Sequence, residues 1–271
     1  FGEVVSINII SGEINIKKGP SIKDIHSSSV FKHTDVPDKE NEESIIRIAT
    51  WVAENGIDVT GDYQAGRDLL VNLLPRTKAN FQNNDDPHTK AVAWVQALEK
   101  GVLPIQGPPG SGKSHTAAEM ILALIQSGKK VGITALSHKV ITELMHKVIK
   151  AGLAKGVSIQ CMRKVSSLSE TSHPQIIEET NNDKVAMAIH GGSIQILGGT
   201  PWLWAREGMA DSVDVLFVDE AGQLSLIDTV AVSQATKNMV LLGDPQQLKQ
   251  PQQGSHPEGT EVSSLEHILK D

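Results

Sequence analysis

What this 271-residue sequence lacks narrows it first. It has a single cysteine, Cys161, so no internal disulfide can form and no cysteine zinc cluster is available. The ten histidines show no metal-ligand spacing. Cys161 reads as a buried structural thiol of a chain kept in a reducing, cytoplasmic compartment. No apolar run approaches the roughly 18 residues that a membrane span needs, and no basic stretch followed by an apolar one opens the chain. Aromatic residues make up only 3%, too few for a binding groove built on base stacking. The formal net charge is −7, so the basic total that favours nucleic acid is absent. A local groove of Lys and Arg would still serve, because net charge does not report local potential.

What is present is an ordinary globular composition, 39% hydrophobic and 21% charged, long enough for one large α/β domain. The stretch "EVVSINIISGEINIKKG" alternates apolar and polar on both sides of Ser11-Gly12 and predicts a β-hairpin. A helix is predicted where Ile45, Ile46, Ile48 and Val52 recur at helical spacing before Gly56, and a shorter one over "GRDLLVNLL". The polar tract "NFQNNDDP" suggests a domain boundary, with an accessory region at 1–84 and the main domain at 85–271. From there strands at 102–106, 130–135, 193–198, 214–218 and 238–243 alternate with helices at 113–127, 137–151, 224–236 and 262–270. That alternation predicts a parallel sheet with helices on both faces. Residues 152–192 break the pattern and read as a surface insertion. Pro104 removes a donor from a strand expected to be central.

Gly107 to Ser114 spells G-x-x-x-x-G-K-S between a short apolar strand and a helix. In that context it is a phosphate-binding loop: glycines let successive N–H groups point inward, and the helix N-terminus adds positive partial charge. The loop residues Gly107, Pro108, Pro109, Gly110, Ser111, Gly112, Lys113, Ser114 and His115 are the expected nucleotide contacts. Lys113 is placed to reach the β- and γ-phosphates and the Ser114 hydroxyl to ligate Mg²⁺. "VDVLFVDEAGQL" sets Asp219 and Glu220 at the carboxyl end of an apolar strand, the end that faces the ligand crevice of a parallel sheet. Asp219 there suits Mg²⁺, and Glu220 suits a base toward water. In "NMVLLGDPQQLKQP", Gln246 or Gln247 can reach a γ-phosphate or its attacking water. Trp202 and Trp204, two apart, would share a face on a strand, either stacking on bases or buried against the sheet.

"GPPGSGKS", "VDEAGQ" and "GDPQQL", in this order, resemble motifs I, II and III of the superfamily 1 helicases. The "DEAGQ" form resembles the 5′-to-3′ branch, and "ITALSHKVITELMHKV" and "GGTPWLWARE" resemble its motifs Ia and Ic. The nearest likeness is to the helicase half of bacterial proteins that carry a RecB-like nuclease domain ahead of it. The resemblance spans roughly residues 85–271. It implies a RecA-like domain that uses ATP and Mg²⁺, with Lys113 and Ser114 on phosphate and metal. Asp219 would anchor the metal, Glu220 would act as catalytic base, and Gln247 would sense the γ-phosphate. Ser137, His138 and Lys139 (motif Ia) and Thr200 (motif Ic) would contact single-stranded DNA or RNA.

The chain departs from the family pattern at two points. His88 stands where the family carries an adenine-reading Gln, Gln82 being out of register, which leaves base selectivity open. The resemblance also implies a second RecA-like domain that supplies arginines, and the sequence ends about two dozen residues after motif III. Hydrolysis by this chain alone is therefore expected to be slow, since such an arginine is worth about 10³–10⁵ in rate. Beside the motor reading stand a P-loop remodeller that separates no strands and a nucleotide-binding module without catalysis. Glu220 argues against the last.

Overall fold

A computed structural model describes residues 2–9, 11–26, 38–78, 86–169, 173–244 and 262–269. The predicted hairpin is there. β1 (Gly2–Asn8) and β2 (Glu13–Lys18) pair antiparallel with an irregularity between Val4 and Ser6. Gly12 turns the chain with φ of 70°, which a β-carbon would resist. The hairpin belongs to a compact unit separate from the one that starts at Asp38.

That second unit begins well before the boundary expected at 84/85. Its elements are α1 (Lys39–Asn55), α2 (Gln64–Leu70), α3 (Pro87–Gln96), β3 (Val102–Gln106), α4 (Lys113–Gln126), β4 (Val131–Thr134) and α5 (His138–Ala154). There follow β5 (Cys161–Lys164), β6 (Ile176–Glu179), α6 (Asn182–His190), β7 (Ile196–Gly198) and α7 (Pro201–Trp204). β8 (Val213–Val218), α8 (Leu226–Val232), β9 (Thr236–Gly243) and α9 (Ser264–Leu269) complete it. The reason for the shifted boundary is chemical. α1 docks through polar groups that an apolar pattern cannot reveal. Asn41 donates to Asp228 at 3.0 Å, the Ser44 hydroxyl to the Ala231 carbonyl at 2.6 Å, and Arg47 to the Ala205 carbonyl at 2.8 Å. α2 is buried almost throughout, and Gly66 lets it approach Ser233 so closely that an added β-carbon would lie 2.1 Å from the hydroxyl oxygen.

The seven strands β3 to β9 form one parallel sheet in the order β3-β9-β8-β4-β7-β5-β6. Alternate residues of the inner strands feed two cores, as expected for a sheet covered on both faces. Val215, Phe217, Val240 and Leu242 join α4 and α5 on one side. Leu216, Val218, Met239 and Leu241 meet α2, α8 and α9 residues on the other. Three expectations are corrected. β3 is the edge strand of the sheet rather than a central one, so Pro104 removes no bond that the sheet needs. Residues 152–192 are not a surface insertion: β5, β6 and α6 continue the sheet to its far edge. Trp202 and Trp204 lie on α7, not on a strand. Trp204 is fully buried over Gly132, its indole N–H donating to the Gly199 carbonyl at 3.0 Å. Cys161 is buried, with burial pushing its thiol up to about 12.

Candidate active site

The loop Gly107–Gly112 leaves the carboxyl end of β3 and enters α4 at Lys113. Gly110 and Gly112 hold φ of 79° and 88°, the left-handed region that a side chain rarely adopts. Lys113 Nζ bonds the carbonyl oxygens of Gly107 and, at 2.9 Å, of Pro108. Its ammonium is thereby held inside the turn of the loop. A phosphate oxygen would take over from those carbonyls without a large movement of the side chain.

The other two motifs are fastened to this loop through the backbone. Gly107 N–H donates to the Gly243 carbonyl at 3.1 Å, Ala221 N–H to Leu242 at 2.8 Å, and Asp219 N–H to Thr134 at 2.9 Å. Gly222 is needed for the approach: a β-carbon there would lie 2.4 Å from the Asp244 carbonyl oxygen. Asp219 and Glu220 thus line one cavity with Ser114. That cavity, about 370 Å³, is lined among others by Gly110, Lys113, Ser114, His115, Asp219 and Glu220.

The acid pair is electrostatically unusual. Burial raises the Asp219 carboxyl above its ordinary range, against the Glu220 N–H, which donates to it at 2.9 Å, and the nearby Lys147 and Lys113. Burial, then Asp219, then Glu143 raise Glu220. Glu220 also holds φ of 56°, strained for a residue with a side chain. His115, which lines the cavity, stacks on His88 with ring centroids 5.4 Å apart and planes 11° from parallel. His88 Nδ1 also lies 3.2 Å from the Thr116 hydroxyl, fixing α3 to α4.

The residues fit a magnesium triphosphate. The loop glycines leave open space at Gly110 and Gly112 for an anion, and Lys113 supplies charge. Ser114 at the head of α4 and Asp219 are two hard oxygen donors, and Mg²⁺ usually takes its remaining oxygens from phosphate and water. No cluster of three or more His, Cys, Asp or Glu suited to a metal occurs among the described residues.

Ser137 and Thr200 follow β4 and β7, which are adjacent, and Gly199 N–H bonds the Ile133 carbonyl at 3.0 Å, so the two loops lie side by side. Ser137 caps α5, accepting from Val140 N–H at 3.3 Å, and Lys139 is exposed. His138 is half-buried, turned toward Arg163, Lys164 and Glu178, with burial lowering its imidazole. The Nδ1 atom of His138 is buried without a hydrogen-bond partner among the described residues. His190 Nε2 lies 3.1 Å from the Gly208 carbonyl, a structural contact. Gln246 and Gln247, and also Gln82, fall outside the described residues. Sequence reading missed Val140, Glu143, Leu144 and Lys147 of α5, which line the same cavity. Their i, i+3, i+4, i+7 spacing places them on one helix face, a pattern that could have pointed to them.

The P-loop, the strand-end acid pair and the parallel sheet define a P-loop nucleotide-binding domain of RecA-like build. A family model described as "AAA domain" matches residues 88–267, and the chain belongs to that family. It is 26% identical over 183 residues to the replicase polyprotein 1ab of bat coronavirus 512/2005, covering 66% of this chain and 2% of that protein. It is 24% identical over 208 residues to the DNA replication ATP-dependent helicase/nuclease DNA2 of Saccharomyces cerevisiae, covering 68% of this chain and 13% of that one. With the rat DNA-binding protein SMUBP-2 it shares 27% over 116 residues, 42% of this chain and 11% of that protein. The chain therefore spans only a small part of these relatives. Among solved structures it is similar to the arterivirus nonstructural protein 10 helicase with DNA, at 19% identity and a TM-score of 0.42, covering 66% of this chain and 36% of that one. The ordered motifs and the likeness to the DNA2 and SMUBP-2 proteins are those of a superfamily 1 helicase-type motor domain. No helix among the described residues is long and apolar enough to cross a membrane.

Proposed function

We propose that this chain is the first motor domain of a nucleic-acid-dependent ATPase, hydrolysing ATP with Mg²⁺ and moving on single-stranded DNA or RNA. The observation that carries it is the convergence of the loop residues Pro109, Gly110, Gly112, Lys113 and Ser114 with Asp219 and Glu220 on one cavity. Lys113 donates to the phosphates, and Ser114 and Asp219 hold the metal. When bound, the metal neutralises charge on the transferred phosphoryl group. Glu220 accepts the proton of the attacking water, a role its raised carboxyl suits because a stronger base is the better acceptor. Gln247 senses the γ-phosphate, and the flat His88–His115 pair offers a surface for the base. Ser137, His138, Lys139 and Thr200 meet the strand backbone, along the carboxyl edge of β4 and β7. A second RecA-like domain completes the site, and a RecB-like nuclease domain preceding the motor is the partner that the sequence likeness suggests. The compartment that fits this reading is the cytoplasm.

ATP turnover measured with and without single strands tests it. Turnover stimulated by the strand and abolished in Lys113→Ala is expected. Basal turnover indifferent to nucleic acid would favour a remodeller instead, and nucleotide binding without turnover a non-catalytic module.

A further inference from the structure

We propose that Lys147 is a second phosphate-binding cation of this cavity, directed at the γ-phosphate end. The proposal rests on the reading of the cavity as a triphosphate site. Val140, Glu143, Leu144 and Lys147 form one stripe of α5 along the cavity wall, Val140 and Leu144 apolar, Glu143 and Lys147 charged. Glu143 pairs with Lys139 at 3.9 Å, one turn back. Lys147 makes no ion pair within 4 Å among the described residues, so its charge is not already neutralised by a partner.

The direction follows from the neighbours. The α- and β-phosphates belong to the loop glycines at the head of α4. Asp219 and Glu220 line the same cavity as Lys147, and on the triphosphate reading they are the residues that meet the γ-phosphate with its metal. Four carboxylates, Asp219, Glu220, Glu143 and Asp244, line the cavity beside only two ammonium groups, Lys113 and Lys147. A terminal phosphate entering that field needs every available cation. A flexible four-carbon stem lets a lysine follow it.

Titrating the full chain with a fluorescent non-hydrolysable ATP analogue and with fluorescent ADP, both with Mg²⁺, tests the assignment. Lys147→Ala is expected to weaken the triphosphate about tenfold or more, the scale of one hydrogen bond to a charged group, and to leave ADP within about twofold. Lys147→Arg, which keeps the charge, should restore most of the loss. Melting temperatures should be unchanged, because the side chain is exposed. Equal weakening of both nucleotides, or none of either, overturns the proposal. Lys113→Ala run alongside separates the two levels: if it loses both nucleotides, the cavity reading stands even where the Lys147 result is negative. If it loses neither, the cavity reading itself fails.

Discussion

At Glu220 two costs meet in one residue. Its backbone sits at φ of 56°, worth about 1–2 kcal/mol for a side chain in the left-handed region. Its carboxyl is half-buried, with Asp219 and Glu143 near it, so the charged form is penalised. A carboxyl raised in the folded state contributes stability that is fully present below its unfolded value, around pH 4, and lost as pH rises through the folded value. Glu220→Gln removes that loss. Its melting temperature should exceed the parent's at neutral pH and converge with it below about pH 4, while ATP turnover falls by about 10² or more. Calorimetry across pH checks the first part and an ATPase assay the second. A variant less stable at neutral pH would show that the carboxylate serves the fold. The same electrostatics fix the acid limb of kcat/KM, which reports groups of the free enzyme. Glu143→Gln removes the last of the three raising influences and should move that limb to lower pH. The movement is small, because burial and Asp219 remain.

Among the elements, β5 and β6 carry an ion pair of opposite thermodynamic sign. The Arg163 and Glu178 side chains are 14% and 5% exposed and paired. Burial alone would raise Glu178, but the Ser169 N–H at 2.7 Å, its hydroxyl at 2.8 Å and Arg163 outweigh it and hold the carboxyl below its ordinary range. Its stability contribution is present above that range and lost as pH falls through the folded value. Glu178→Gln leaves a buried guanidinium without its counter-charge and should cost about 3–5 kcal/mol at neutral pH, less in acid, measurable by denaturant unfolding. The pair also explains what the sequence concealed. "CMRK" and "IIEE" end in charges and run only four residues, so they carry neither alternation nor an apolar run, and the sheet's far half reads as an insertion. α1 was legible as a helix, but its attachment to the main domain was hidden in the same way by its polar docking face. By contrast "VDVLFV" and "NMVLLG" are apolar on both faces and legible at sight, as were the loop glycines and the acid pair. The α5 wall of the cavity was obscured because its four residues look like any amphipathic stripe.

For the whole molecule the question is what drives turnover to a useful rate. The cations lining the described cavity are the lysines Lys113 and Lys147, and no arginine is among them. Lysine offers a point charge, whereas arginine offers a planar fork matched to phosphate oxygens. Charge developing on the transferred group is therefore incompletely matched by this domain. If a second RecA-like domain supplies an arginine, joining that domain to this chain should raise the strand-stimulated kcat by about 10³–10⁵. Substituting its arginine should return the rate to that of the isolated chain while leaving nucleotide affinity much less affected, since the contact matures in the transition state. Single-turnover hydrolysis on both forms, at matched strand concentration and ionic strength, measures the ratio. An isolated chain that already turns over at the joined rate would show that Lys113 and Lys147 suffice, and that the partner domain serves movement along the strand rather than the chemistry.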